Sequence, residues 1–534
     1  MTAGSSYQRF RAPLADGEIL SVPPWKQVKP LLFTNRDLHA AIQNDIWGRS
    51  VQALAAEARQ EALAAAFRYT KSYTDLPARH DVNCPLIFTG HQPELVHPGV
   101  WLKNFASARL AKETRGIAVN LIVDSDLCRN TSIDVPTGTV NEPFLATVAY
   151  DSQKAALPYE QRDIFDTAVW DSFGVRVSET LSPLVNRPVL SEVWTENAVR
   201  LRATDRLGLS MAQARHRLER LWGTQNYELP QSLVCQTSSF RFFAVFLFEE
   251  ARRFRTAYND SLAQYRSVHR LRNQAQPMPD LIESDGWSET PFWIWTRSEP
   301  RRRALYVKRQ HGQLLLSDLA DWRAALPAPS DGDPAAAIEH LETWEAEGTK
   351  LRTRALTTTL FVRLLLADLF IHGIGGSKYD QVTEEVCERF FGICLPSHVT
   401  LSGTLRLPIT HPSVPPNYGR QLRQQLRDLK YHPENHLAGP AQRSKSKRQI
   451  EQWIAKKRSA VQTAKTPANA AERHQHITAA NSALQETLAP MRVELEQALA
   501  STINQIRVNQ LLESRDFPFC LFPQELLRHF LLDF

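Results

Sequence analysis

The chain has 534 residues, 43% of them apolar and 22% charged, which is the composition of a folded globular protein and excludes global disorder. At roughly 100–200 residues per domain, that length gives about two to four structural units. Lys plus Arg number 63 against 57 Asp plus Glu, a net charge of +6. A mildly basic chain suits anionic ligands without arguing for a nucleic-acid protein.

Residues 1–13 have no apolar core of the secretory kind, so no signal peptide is expected. Leu360–Ile371, the most apolar stretch, is too short to span a bilayer and carries Arg363 and Asp368, so neither a transmembrane helix nor a membrane partner is expected. The six cysteines are scattered with no Cys-x-x-Cys pair. They read as reduced thiols, which points to a cytoplasmic protein.

In chain order, residues 1–36 read as an arm, and 37–73 as an Ala-rich helix with Leu54, Ala58, Leu63 and Phe67 near helical spacing. An N-terminal arm-and-helix segment is thus expected over 1–79. Cys84–His91 is a short apolar run ending in a turn and reads as a buried strand. Val100–Glu113 reads as a helix and Ile117–Asp124 as a second buried strand. Strand, helix, strand within so short a span is a βαβ unit and implies a parallel sheet. Residues 140–230 carry no clear pattern. Ser238–Arg255 reads as an aromatic helix, and 285–316 as a hairpin around Arg301, Arg302 and Arg303. Residues 327–334 read as a surface loop. Leu351–Ile371 reads as one long buried helix ended by a glycine loop at 373–376, with a second helix over Tyr379–Phe391.

The core is therefore expected over 80–415. Over 416–513 glycine nearly disappears and apolar residues recur at helical spacing. Leu484, Leu488, Met491, Leu495 and Leu499 form the seam of a long amphipathic helix or short coiled coil, with breaks at Pro440 and Pro467 and a kink at Pro490. The tail, 514–534, is apolar and is expected to fold back on the core.

Three constellations carry candidate chemistry. The first runs from Thr89, Gly90, His91 and Gln92 through His97 to Lys103, between a predicted strand and a predicted helix. Open α/β sheets place ligands at that rim, and helix N-termini offer free N–H groups to anions. His91 and His97 suit proton transfer or a developing negative charge, and Lys103 suits an anionic group. The alternative is that the glycine only turns the chain and the histidines cap or pack. The second is Asp124 and Asp126, two carboxylates ending the next strand, placed for general-base work; Asp and Ser there also serve as caps. The third is His372, Gly375, Gly376, Lys378, Tyr379 and Asp380, where glycines permit close backbone approach to a ligand and the polar groups can hold one. A tight turn between packed helices is the alternative.

Arg354, Arg363 and Asp368 lie in apolar sequence and are expected to form a structural Arg–Asp pairing, since a lone buried charge is costly; an anion-binding Arg354 is the alternative. Cys387, Cys394, His398 and His372 match no zinc spacing, so no metal is expected. Arg443, Lys445, Lys447, Arg448, Lys456, Lys457 and Arg458 read as a solvated helix face, and nucleic acid is not expected as a partner.

Together these residues resemble the BshC-type cysteine-adding enzymes of bacillithiol biosynthesis. That family has a strand ending in Thr-Gly-Gln-Gln, similar to Thr89–Gln92, followed by a turn similar to Pro98–Gly99. Its next strand ends in an acidic stretch similar to Asp124–Asp126. Later come a glycine motif and a Glu-Arg-Phe, similar to 374–379 and to Glu388–Phe390 here. His91 stands where the family has Gln. The resemblance implies an α/β fold: a Rossmann-like parallel-sheet core with inserted connecting segments and a C-terminal antiparallel helical, coiled-coil region that forms a homodimer. It also implies a ligase or transferase that joins a small amine or thiol amino acid to an anionic small-molecule acceptor. The cofactor is left open, with an adenine nucleotide as the candidate. Two other readings stand beside it: a nucleotidyltransferase-like protein using His91 and His97, and a non-catalytic interaction protein with a basic coiled coil.

Overall fold

The computed structural model describes residues 8–75, 83–152, 156–190, 194, 204–273, 278–330, 332–437 and 447–534. The chain divides into two compact units, one of residues 1–135, 145–407 and 515–534, the other of residues 136–144 and 408–514.

The larger unit is mixed α/β around a six-stranded sheet: β1 (Ile19–Val22), β2 (Leu86–His91), β3 (Ile117–Ile122), β4 (Tyr227–Pro230), β5 (Leu369–His372) and β6 (Val399–Gly403). Across the sheet the order is β1-β6-β5-β2-β3-β4. All neighbours are parallel except β1, which runs antiparallel along β6. Leu86, Ile87 and Phe88 of β2 and nearly all of β3 are buried, which is why both read as unbroken apolar runs. The chain grows outward from β2 to β3 to β4, then returns to the other side of β2 with β5 and β6. Where that direction reverses, between the carboxyl ends of β2 and β5, the connections part and leave a crevice.

Helices flank this sheet. They include α1 (Val51–Lys71), α2 (Pro98–Thr114), α3 (Leu207–Leu221), α4 (Ser238–Glu249), α5 (Ala355–Phe361) and α6 (Ile374–Phe391). Ser50 starts α1 by accepting a hydrogen bond from the Ala53 amide at 3.2 Å. Proline at the first position opens α2. Gly99, next to it, lets the helix sit on β6: a Cβ there would stand 2.0 Å from the Gly403 carbonyl oxygen. A second, antiparallel sheet joins Trp287–Thr296 to Arg303–Gln310 and, on its other edge, to Thr349–Thr353. Its two main strands are the hairpin expected around Arg301–Arg303.

The stretch Leu351–Ile371 is not one helix. Thr349–Thr353 is a strand, α5 follows, a π-helical turn spans Val362–Leu366, and β5 begins at Leu369. All of it but the start of α5 is largely buried, its polar residues included, so no polar face marks the changes of period. The glycines at 373–376 consequently do not end a helix. Gly373 caps α6, whose first turn contains the other two. Nor do Arg354, Arg363 and Asp368 pair with one another. Arg354 meets Glu289, Arg363 meets Asp380 and Glu384, and Asp368 meets Arg59.

In the tail, Phe519, Cys520, Leu521 and Phe522 are buried, the Phe519 amide donates to the Val96 carbonyl at 2.8 Å, and the Phe519 ring packs on Trp101.

The smaller unit holds helices Tyr418–Tyr431, Lys447–Gln462, Ala470–Thr487 and Ala489–Leu512. Leu429, Leu437, Ile450, Leu484 and Leu488 form its apolar cluster. The expected single seam is cut at Leu488, which separates two helices, and Met491 is exposed. Pro490 opens the second helix rather than kinking it. Pro467 does fall in a break, while Pro440, Arg443 and Lys445 lie outside the described residues. Lys457 is not on a solvated face: it is buried, donating to Glu434 and the Tyr431 carbonyl, each at 2.6 Å. No helix among the described residues is long and apolar enough to cross a membrane.

Candidate functional site at the carboxyl rim of the sheet

A cavity of about 900 Å³ opens at the reversal point. Gly90, His91 and Gln92 from the end of β2, Ser125 and Asp126 after β3, and His372 to Gly376 from the end of β5 onward all line it. His97 and Lys103 enter from α2, and Lys378, Tyr379 and Asp380 from α6. Three distant stretches of sequence thus share one wall, because parallel neighbours end at the same rim.

Lys103 is 3% exposed, and its ammonium donates to the Gly90 carbonyl at 2.8 Å. Among the described residues no carboxylate pairs with it. Burial, with Arg215 nearby, pulls its pKa down to about 7. Lys103 can therefore be a cation for an anionic ligand or a proton acceptor near neutral pH. The two histidines differ. Burial, with Lys103 nearby, pulls His91 down to about 3, and burial with Arg515 pulls His97 down to about 4. At neutral pH neither carries the positive charge that would hold a developing anion. His97 Nδ1 is buried without a hydrogen-bond partner among the described residues.

Asp126 faces the cavity fully engaged. Gln92 donates to one oxygen at 3.0 Å, and Arg302 and the Leu127 amide reach the other at 2.8 Å. Burial pushes its pKa up, but Gln92 and Arg302 outweigh that and hold the carboxyl below its usual value. Arg302 and Arg354 both lie over the Trp293 ring, at 5.0 and 4.2 Å from its centroid. These three residues come from the second sheet and its exit, and Arg515 comes from the tail. Sequence reading missed Trp293, Arg302 and Arg515, and read Arg354 chiefly as a structural partner. Only the basic turn at 301–303 gave a local signal.

The start of α6 has no side-chain cap, and its two exposed glycines leave the first-turn amides uncovered. Behind it, His372 Nε2 lies 2.9 Å from Asp380 Oδ2, and Arg363 holds that oxygen at 2.5 Å. Burial lowers His372 to about 4 against the pull of Asp380. Asp380 is held far below the carboxylate range: burial opposes this, but Arg363 and His372 prevail.

Two expected site residues stand outside the cavity lining. Thr89 is fully buried and donates to the Ile371 carbonyl at 3.1 Å, fastening β2 to β5. Asp124 spends both oxygens on Ser232, accepting from its amide at 2.9 Å and its hydroxyl at 2.5 Å. Burial raises its pKa to about 7. Its bonds fix the turn after β4.

Among the described residues, two groups of side chains have metal-ligand spacing: His216, Glu219 and Glu228, and Asp380, Glu384 and His398. A guanidinium already fills each. Arg215 bridges Glu219 and Glu228, while Arg363 bridges Asp380 and Glu384. A divalent ion beside either arginine would face like-charge repulsion.

No protein-family model and no curated protein matches the chain.

Proposed function

We propose that this chain is a BshC-like ligase or transferase with a Rossmann-like core, condensing a small amine or thiol amino acid with an anionic acceptor in the rim cavity. One observation carries the reading: buried Lys103, with no carboxylate partner among the described residues, stands in the crevice where the sheet reverses direction. The carboxylates that line the cavity, Asp126 and Asp380, are already paired with arginines. The remaining cationic groups, Arg11, Lys103, Lys378 and Arg515, together with the uncapped start of α6, favour a ligand of negative charge.

In this reading the acceptor's anionic group sits against the α6 amides and Lys103. Gln92 and Arg302 hold Asp126 against the incoming amine. An adenine nucleotide is the cofactor candidate, because a glycine-rich strand-to-helix turn suits phosphate. A cytoplasmic homodimer formed through the helical unit completes the proposal.

The test is a thermal-shift screen of the full chain against malate, adenine nucleotides and cysteine, with Lys103→Met beside it. Malate is expected to raise the Tm by a few degrees in the unaltered chain and not in the variant. No shift with any of these ligands overturns the reading. ATP–pyrophosphate exchange in the same samples would favour a nucleotidyltransferase instead.

A further inference from the structure

His372 ends β5, and Asp380 stands on the same side of α6, nearly two turns in. Their contact, Nε2 to Oδ2 at 2.9 Å, is short but bent, so the ring N–H is not yet aligned on the oxygen. Hydrogen bonds of this kind are often loose in ligand-free sites and tighten on binding. The rest of the surroundings is fixed. Arg363 holds Asp380 from behind, Phe370 stacks on the His372 ring at 4.2 Å, and His398 meets the ring edge-on at 5.2 Å. The other ring nitrogen, Nδ1, has no hydrogen-bond partner among the described residues. It abuts Gly376, where a Cβ would stand 2.8 Å from it. Both residues line the cavity.

We infer that Asp380 fixes His372 as the Nε2–H tautomer and thereby turns a bare Nδ1 toward the cavity, as proton acceptor for the amine or thiol of the bound ligand. The inference rests on the cavity being the substrate site. In the step, an N–H or S–H bond of the ligand breaks and an Nδ1–H bond forms. The electron pair stays on the ligand's nitrogen or sulfur, which becomes the nucleophile. The imidazolium so formed is balanced by Asp380, as carboxylates balance histidines in other proton-transfer sites. The charged or titratable groups around the ring are Asp380, Glu384 and Lys378 on α6, Arg363 ahead of β5 and His398 ahead of β6. Burial keeps the ring neutral at rest, so Nδ1 is available at neutral pH. His372 is the catalytic residue here and Asp380 a positioning residue.

Long-range proton–nitrogen NMR on the full chain with labelled histidine tests this, His372 being assigned by its loss in His372→Asn. Between about pH 6 and 8 the unaltered chain is expected to show His372 with Nε2 protonated and Nδ1 bare. In Asp380→Ala no acceptor remains beside Nε2, so the tautomers should mix or invert; Asp380→Glu should restore the original form. A protonated Nδ1 in the unaltered chain, or an unchanged tautomer in Asp380→Ala, overturns the inference. Should Asp380→Ala fail to fold, the spectrum of the unaltered chain decides. Cysteine, which carries both an amine and a thiol, added to the same sample reads the cavity separately. Movement of the Nδ1 signal on binding supports the inference. Binding seen by tryptophan fluorescence with Nδ1 unmoved overturns it alone. Absence of binding overturns the cavity reading and the pair's catalytic part with it, while leaving the tautomer result intact.

Discussion

At the scale of single residues, Lys103 has the most measurable consequence. Unfolded, it keeps its proton up to about pH 10.5; folded, it releases it near 7. Between those values the unfolded state binds more protons, so stability rises with pH across that window, and the cost of burying the ammonium is complete below pH 7. Lys103→Met is therefore expected to raise the Tm at pH 6, by on the order of 5 °C, with less gain at pH 9. A scan of Tm against pH for both proteins checks it. Ligand affinity has the opposite slope. Malate binding should weaken by about tenfold from pH 6 to 8, as the ammonium is lost, and calorimetric titration at the two pH values reads this. The two glycines of α6 separate shape from charge. A methyl at Gly375 meets nothing within 4 Å, whereas one at Gly376 would press on His372 Nδ1 at 2.8 Å. Gly376→Ala should weaken malate binding by about tenfold while Gly375→Ala leaves it nearly unchanged, both variants melting within a few degrees of the original.

At the scale of elements, the close seat of α2 on β6 sets a harder limit. A side chain at Gly99 would run into the Gly403 backbone, which cannot rotate away. Gly99→Ala is expected to cost about 3 kcal/mol or more, read as a lower urea midpoint. The same elements show what was legible in the sequence. The unit β2-α2-β3 was legible because each apolar run is short and bounded by a turn, so length alone separates strand from helix. Thr349–His372 was not, because strand, helix, π-helical turn and strand follow one another with at most two residues between them. The misreading turned a strand-to-helix turn, the usual phosphate-binding geometry, into a loop between helices. The surroundings of position 124 were hidden for another reason. Sequence places it at a strand end, but only the fold brings Ser232 within reach of its carboxylate.

At the scale of the molecule, the helical unit rests on a small apolar cluster in which Leu484 is wholly buried. Leu484→Ala should destabilise that unit by about 2–4 kcal/mol. Circular dichroism melts should show the loss, with malate binding at the rim unchanged. Legibility at this scale was lowest. The residues near 91, 126 and 376 could be grouped from the sequence because sheet topology brings strand ends together. Trp293, Arg302 and Arg515 could not, since a second sheet and the chain's last stretch deliver them and no local pattern records where those return.

The wall that Arg515 completes also includes Phe10 and Arg11. A site drawing on residues this far apart in synthesis order is not fully lined until residue 515 has left the ribosome. A nascent chain short of that point offers an anionic ligand a wall that lacks one of its cations.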